Sequence, residues 1–281
     1  METKNSDRTE TAKNGKDAKE KKKGHDAPKS KHLPKGMEIL YEDKDIIVVD
    51  KDAGLLTIAT AKNKFRTAHC ILNDYVRKGC AKSKNRVFVV HRLDQGTSGV
   101  LMFAKSEEAK NFLQDNWKDT TKKYLAVIHG CFDEKDGVVT SYLIENKALV
   151  VYSTKDTVNG KIAHTAYKVI KEIGAFSMVE LTLLTGRKNQ IRVHMADKGH
   201  PVVGDGKYGK GKDGYTRLAL HARSISFTHP TTGKEMTVEA KIPSYFDAIM
   251  KKQKEKEKEA RQKSVTPQPQ EREPKKHAAK R

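Results

Sequence analysis

Apolar residues along the chain fall into two kinds of strand-like run. Ile46-Ile47-Val48-Val49 and Val87-Phe88-Val89-Val90 are short, unbroken and branched, which suits strands covered on both faces. Over 177–184, Val179, Leu181 and Leu183 alternate with Met178, Glu180, Thr182 and Leu184, the two-residue period of a strand. Ile39-Leu40-Tyr41 precedes the first run across Asp43-Lys44-Asp45, which predicts two strands joined by a tight turn. Residues 100–104, 124–129, 138–144, 165–170, 218–227 and 236–242 read as further strands, the last two joined by His229-Pro230-Thr231-Thr232-Gly233.

Three segments carry helical spacing instead. Ile71, Leu72, Tyr75 and Val76 predict a helix over 67–78, with Thr67 as its cap and Gly79 as its stop. Ser106-Glu107-Glu108 opens a second helix, running to Trp117. Ile191 and Met195, four apart, predict a third over 188–198, ended by Gly199. Strands outnumber helices, and most links are too short for parallel crossovers. The expected fold is α+β: a mixed, largely antiparallel, twisted sheet with flanking helices, in a single domain over 37–250.

The ends of the chain have a different composition. Residues 1–36 hold 11 basic and 6 acidic side chains, and residues 251–281 hold 12 and 5, leaving the middle with +8 of the total +20. Both ends are poor in the branched and aromatic residues that offset the entropy of ordering, so both read as basic, largely disordered arms. A helix over 244–262 is compatible with the sequence but has little to pack on. A net charge of +20 over 281 residues points to a polyanionic partner such as a nucleic acid, and the arms read equally as solubility tails or as non-specific RNA-binding arms. No apolar run reaches the roughly 18 residues of a membrane span, and no apolar stretch follows the lysine-rich start. Three widely spaced cysteines, Cys70, Cys80 and Cys131, suggest neither a disulfide framework nor a metal site. A cytoplasmic protein is the expectation.

Two polar clusters stand out. His91-Arg92-Leu93-Asp94-Gln95-Gly96-Thr97-Ser98-Gly99 is a loop between two strands that look fully buried, a rigid mount for a reactive group. Arg92 favours an ionised Asp94, although an aspartate here also suits a cap on the Gln95-Gly96 turn. Thr185-Gly186-Arg187-Lys188-Asn189-Gln190-Ile191-Arg192-Val193-His194 opens the third helix with several cations, where the helix dipole adds positive potential; it suits an anion or carboxylate partner. Tyr124 lies on a strand, with core packing its ordinary role. GTSGV lacks the spacing of a nucleophile elbow and of a phosphate-binding loop, and the histidines form no metal-binding pair. The glycines of 206–214 read as a flexible loop.

Taken together, HRLDQGTSGVLMFAKS, KKYLAVIHG, LLTGRKNQIRVHMADKGHPVVGD and RLALHARSISFTHP are similar to the ordered motifs of the RluA-type family of pseudouridine synthases, over about residues 37–250. The resemblance implies an RNA uridine-to-pseudouridine isomerase that needs no cofactor and no metal. Asp94 matches the family's essential aspartate, Tyr124 the tyrosine that stacks on the target base, and Arg192 the arginine that pairs with the aspartate. Leu183 matches an apolar contact to the base, and Arg92 a residue that helps hold the nucleotide out of its stack. Arg187, Gln190 and His91, from the same motifs, are expected to bind substrate. The family usually has His where this chain has Asn189, and many relatives begin with a small RNA-binding domain that 1–36 is too short and polar to form. Ribosomal RNA is the favoured substrate over transfer RNA, with the protein a monomer. The rival readings are a non-catalytic RNA-binding or ribosome-assembly protein on the same fold, and a nucleosidase that releases the base.

Overall fold

The computed structural model describes residues 35–265, apart from 62, 64, 81 and 210–212. Its strands are β1 (Met37–Glu42), β2 (Ile46–Lys51), β3 (Phe88–Val89), β4 (Ser98–Ala104), β5 (Thr121–His129), β6 (Asp136–Glu145), β7 (Val151–Thr154), β8 (Lys161–Ile173), β9 (Phe176–Leu183), β10 (Leu220–Thr228) and β11 (Glu235–Glu239). Its helices are α1 (Ala68–Arg77), α2 (Glu107–Asp115), α3 (Gln190–Asp197) and α4 (Ser244–Val265). All eleven strands join one mixed sheet in the order β1-β2-β4-β10-β5-β9-β8-β6-β7, with β3 paired to β4 and β11 to β10. Every pairing is antiparallel except β4 with β10, where His221 meets Ser98 and Ala222 meets Gly99. The fold is the expected α+β arrangement.

The unbroken apolar runs have a direct cause. On β2 and β4, Ile47, Val49, Leu101 and Phe103 pack in one cluster with Ala68, Leu72 and Val76 of α1. The alternate residues Ile46, Val48, Val100 and Met102 pack in another with Ala109 and Leu113 of α2. Helices cover both faces, so neither strand can alternate with polar residues. Both helices begin where their caps predict: Thr67 accepts the Cys70 N–H and Ser106 the Ala109 N–H. Gly99 has φ +111, and a Cβ there would lie 2.2 Å from the Ala222 carbonyl oxygen. Only glycine allows this close parallel pairing, which fixes the loop before β4 against β10.

Three expectations change. The run 87–90 narrows to the two residues of β3, because Asn73 Oδ1 takes the Val87 N–H and Gln114 Nε2 takes the Val89 and Val90 carbonyls. The strand β7 had no signal of its own in four residues. The reading of 251–281 as largely disordered does not hold for 251–265, which continue α4. Phe246, Ile249 and Met250 anchor the first turns of α4 in the core cluster that holds β5, β9 and α3, and propagation from an anchored turn is cheap. Residues 266–281 and all but the last two residues of the 1–36 arm lie outside the described residues. None of the described helices is long and apolar enough to cross a membrane.

Candidate active site

A cavity of about 640 Å³ opens where the loop before β4, the strands β5 and β9, and the start of α3 converge. It is lined by all eight sequence-predicted site residues: His91, Arg92, Asp94, Tyr124, Leu183, Arg187, Gln190 and Arg192.

The loop carrying Asp94 is braced by the chain just after β2. Thr57 Oγ1 donates to the Leu93 carbonyl at 2.9 Å and accepts the Leu93 N–H at 3.1 Å. Gln95 accepts the Gly54 N–H through its carbonyl and donates to the Gly54 carbonyl through its side chain. Lys51 is fully buried, and its ammonium donates to the carbonyls of Asp52, Leu55 and Gln95 at 2.9, 2.9 and 3.4 Å. Burial pulls the Lys51 pKa down to about 8, with Asp52, Asp94 and Asp50 acting against that fall. The Asp94 carbonyl closes the turn by accepting the Thr97 N–H at 3.1 Å. Among the described residues no backbone N–H donates to its carboxylate, so the turn-cap role falls to the main chain and the carboxylate is left for the cavity.

Arg192 meets that carboxylate, with Nη1 3.6 Å from Asp94 Oδ2. Its stronger partner is one that sequence reasoning missed. Asp205, fully buried, accepts Nε and Nη2 in a bidentate pair at 2.7 Å each. Asn189 Oδ1 accepts Nη1 at 3.1 Å, and the Tyr208 ring lies 5.0 Å below the guanidinium. Burial opposes the charge on both members of the pair, yet their contact outweighs it: Asp205 is held below the ordinary carboxylate range and Arg192 above its own. Asp205 also accepts the N–H groups of Lys207 and Tyr208, which fixes its own orientation. The guanidinium thus reaches Asp94 from a clamped position, and at about 4 Å with an effective dielectric near 20 the attraction is on the order of 4 kcal/mol before desolvation. Asn189 sits in the left-handed region at φ 54, which asparagine tolerates, and this shortens the expected helix so that α3 starts at Gln190.

Tyr124 and Leu183 supply the apolar walls, both half-buried. Burial and then the charge of Asp94 push the Tyr124 hydroxyl well above the usual phenol range, so it remains protonated. Two expected substrate contacts are committed elsewhere. Gln190 is 2% exposed. Its amide donates to the His164 carbonyl and Thr165 Oγ1, and its carbonyl oxygen accepts from Thr185 Oγ1 and the Arg187 N–H. With every donor and acceptor used, Gln190 holds the 185–190 turn in place of binding substrate. His91 Nε2 accepts the Met102 N–H, and the ring packs 4.8 Å from Trp117. Burial, then Lys122, lowers its pKa to about 3, so it is a neutral wall of the cavity. Arg92 and Arg187 are exposed at the cavity, Arg187 donating from Nε to the Ile162 carbonyl.

One group among the described residues has metal-ligand composition: Asp43, Asp45 and His229, away from the cavity. His229 donates from Nε2 to Asp43 and accepts the N–H groups of Thr231 and Thr232 at Nδ1, so both ring nitrogens are engaged in tying the β1–β2 turn to the β10–β11 turn.

A loop-mounted carboxylate, a clamped arginine and an aromatic wall share one cavity on this sheet, the arrangement of an enzyme active site. Residues 45–197 match the family model described as RNA pseudouridylate synthase, and the chain belongs to that family. It is 36% identical over 223 residues to the uncharacterized RNA pseudouridine synthase YlyB of Bacillus subtilis strain 168, covering 75% of this chain and 70% of that protein. It is 32% identical over 245 residues to the ribosomal large subunit pseudouridine synthase C of Vibrio vulnificus, covering 83% and 75%. Among solved structures, human RNA pseudouridylate synthase domain containing 4 shares the fold, with a TM-score of 0.63 at 24% identity over 74% of this chain and 89% of that one.

Proposed function

We propose that this pseudouridine synthase isomerises uridines in ribosomal RNA, with Asp94 as the group that acts on the extruded nucleoside. The bond from C1′ to N1 breaks, the uracil turns, C1′ bonds to C5, the C5 hydrogen leaves as a proton, and N1 takes up a proton, so that the product is an isomer of the substrate. The detached ring has to be retained while it turns. Tyr124 and Leu183 hold it by contact on apolar surfaces, and a protonated phenol next to a carboxylate adds no competing negative charge. Arg192 holds the Asp94 carboxylate in place, and Arg92 fills space around the displaced nucleotide. Extrusion costs a few kcal/mol, least at a loop or bulge, and phosphate contacts from the basic surface offset it. Transfer RNA is the other substrate to compare, and a cytoplasmic monomer is the working form.

The observation that carries this reading is Asp94 in one cavity with Arg192 and Tyr124, the arginine clamped by Asp205. Incubation of the purified chain with ribosomal and transfer RNA, followed by pseudouridine-specific chemical mapping, tests it. Pseudouridine in ribosomal RNA is expected. Free uracil would instead indicate a nucleosidase, and unchanged RNA a binding protein.

A further inference from the structure

The cavity extends beyond the residues that serve the uracil. Val89, Val90, His91, Gln114, Trp117 and Lys122 line it too, brought by β3, α2 and the start of β5. At about 640 Å³ it lies within the range that holds a drug-sized ligand, with room beyond one pyrimidine ring.

Lys122 is two residues before Tyr124 on β5, so both side chains leave the same face of the strand, about 7 Å apart. Its Nζ donates to the Trp117 carbonyl at 3.2 Å and lies 5.1 Å from the centre of the Trp117 ring. The ammonium is therefore held in place while keeping hydrogens free. Five cations line the cavity: Arg92, Lys122, Arg187, Lys188 and Arg192. Arg192 is paired with Asp205 and Asp94, and Lys188 with Glu145. Among the described residues no carboxylate comes within 4.0 Å of the other three, and of these only Lys122 is half-buried. A half-buried cation without a counter-ion is costly, and burial does lower its pKa. The neighbouring His91 is neutral, so it supplies no compensation and no repulsion. An anion from the substrate would complete the site.

We propose that Lys122, positioned by Trp117, is the binding position for a backbone phosphate of RNA adjacent to the target uridine. The proposal rests on the uridine-isomerising reading above, and it adds a second anchor one strand step from the base. Such an anchor fixes the direction in which the RNA strand enters the cavity, whatever its sequence.

The test uses the full chain and a short labelled oligouridylate, with binding read by fluorescence anisotropy over a salt series. Lys122→Gln keeps a neutral donor for the Trp117 carbonyl and removes the charge. It is expected to weaken binding about ten-fold and to lower the salt slope by about 0.7, the value for one phosphate contact to a single strand. Lys122→Arg is expected to restore the slope. In turnover with ribosomal RNA, Lys122→Gln is expected to raise KM with kcat retained. An unchanged salt slope in a folded Lys122→Gln protein overturns the proposal. So does a reduced slope with KM unchanged, because the contact would then lie outside the productive complex. Should wild type convert no RNA while the slope still responds to Lys122, the isomerase reading fails and the phosphate contact stands.

Discussion

Asp205→Asn separates what holds Arg192 from what Arg192 acts upon. The substitution keeps the size of the side chain and an oxygen for the N–H groups of Lys207 and Tyr208. It replaces one of the two carboxylate oxygens facing the guanidinium by an amide donor. Breaking one partner of a buried ion pair costs about 3–5 kcal/mol, because a charge is left uncompensated. Here Asp94, 3.6 Å away, is available as a substitute partner, so the loss in stability is expected at the low end, about 3 kcal/mol. That substitution is harmful to catalysis: an arginine drawn fully onto Asp94 moves the carboxylate from its working position, and a displacement of 1 Å can cost about a hundred-fold in rate. Urea unfolding followed by fluorescence measures the first effect. Release of tritium from C5 of labelled uridine in RNA measures the second, per folded molecule and below the unfolding range. Loss of stability with kcat unchanged would show that Asp205 only supports the fold, and loss of neither would refute the clamp.

Further outcomes follow from other parts of the molecule. Asp50 lies opposite Glu38 in the β1–β2 register, and burial, then Asp52 and Glu38, raises its pKa to about 6. Its folded form therefore binds a proton more tightly than the unfolded chain, so stability present below about pH 4 is lost as the pH rises through 6. Asp50→Asn is expected to be more stable than wild type by about 2 kcal/mol at pH 7, after allowance for screening, and equal to it below pH 4; thermal melts at both values decide this, and equal melts at pH 7 refute it. Phe246→Ala removes a fully buried ring from the anchor of α4 and is expected to cost about 3–5 kcal/mol; a loss under 1 kcal/mol would mean that α4 is not part of the core. Removal of 1–34 together with 266–281 is expected to leave the melting temperature unchanged while weakening RNA binding and flattening its salt dependence; an unaltered slope would leave these arms without a role on RNA.

Much of this was legible in the residues. The strands β2 and β4 read as buried on both faces because no polar residue interrupts them, and two helices do cover both faces. Thr67 and Ser106 announce their helices because each cap is a local event within three residues. Asp94 and Arg192 emerged from motifs that are contiguous in sequence. What escaped depends on contacts between distant segments. Asp205 closes the same quoted motif that holds Arg192, but it follows the helix between two glycines, and nothing in the spacing shows that the chain folds back over 13 residues to pair with the arginine. Asp213, in the glycine-rich loop that follows, is likewise tied down, accepting the Gly204 N–H and pairing with His129. Lys51 ends a strand and resembles any solvated lysine until two carbonyls of the 52–55 turn and that of Gln95 close over it. Gln190 looked like a substrate ligand because its type suits binding, whereas its four hydrogen-bond positions are spent on Thr185, Arg187, His164 and Thr165. The helix α4 was judged by its charged stretch, while its stability comes from three apolar residues before that stretch.

The decisive comparison is Asp94→Asn against wild type in one preparation, with pseudouridine formation and RNA affinity measured on the same ribosomal RNA. The side chain is 32% exposed and no backbone hydrogen bond in the described region depends on its charge, so the variant is expected to fold, to bind RNA nearly as well, and to form no detectable pseudouridine. A variant that converts the RNA at the normal rate would contradict the assignment of the chemistry to this carboxylate.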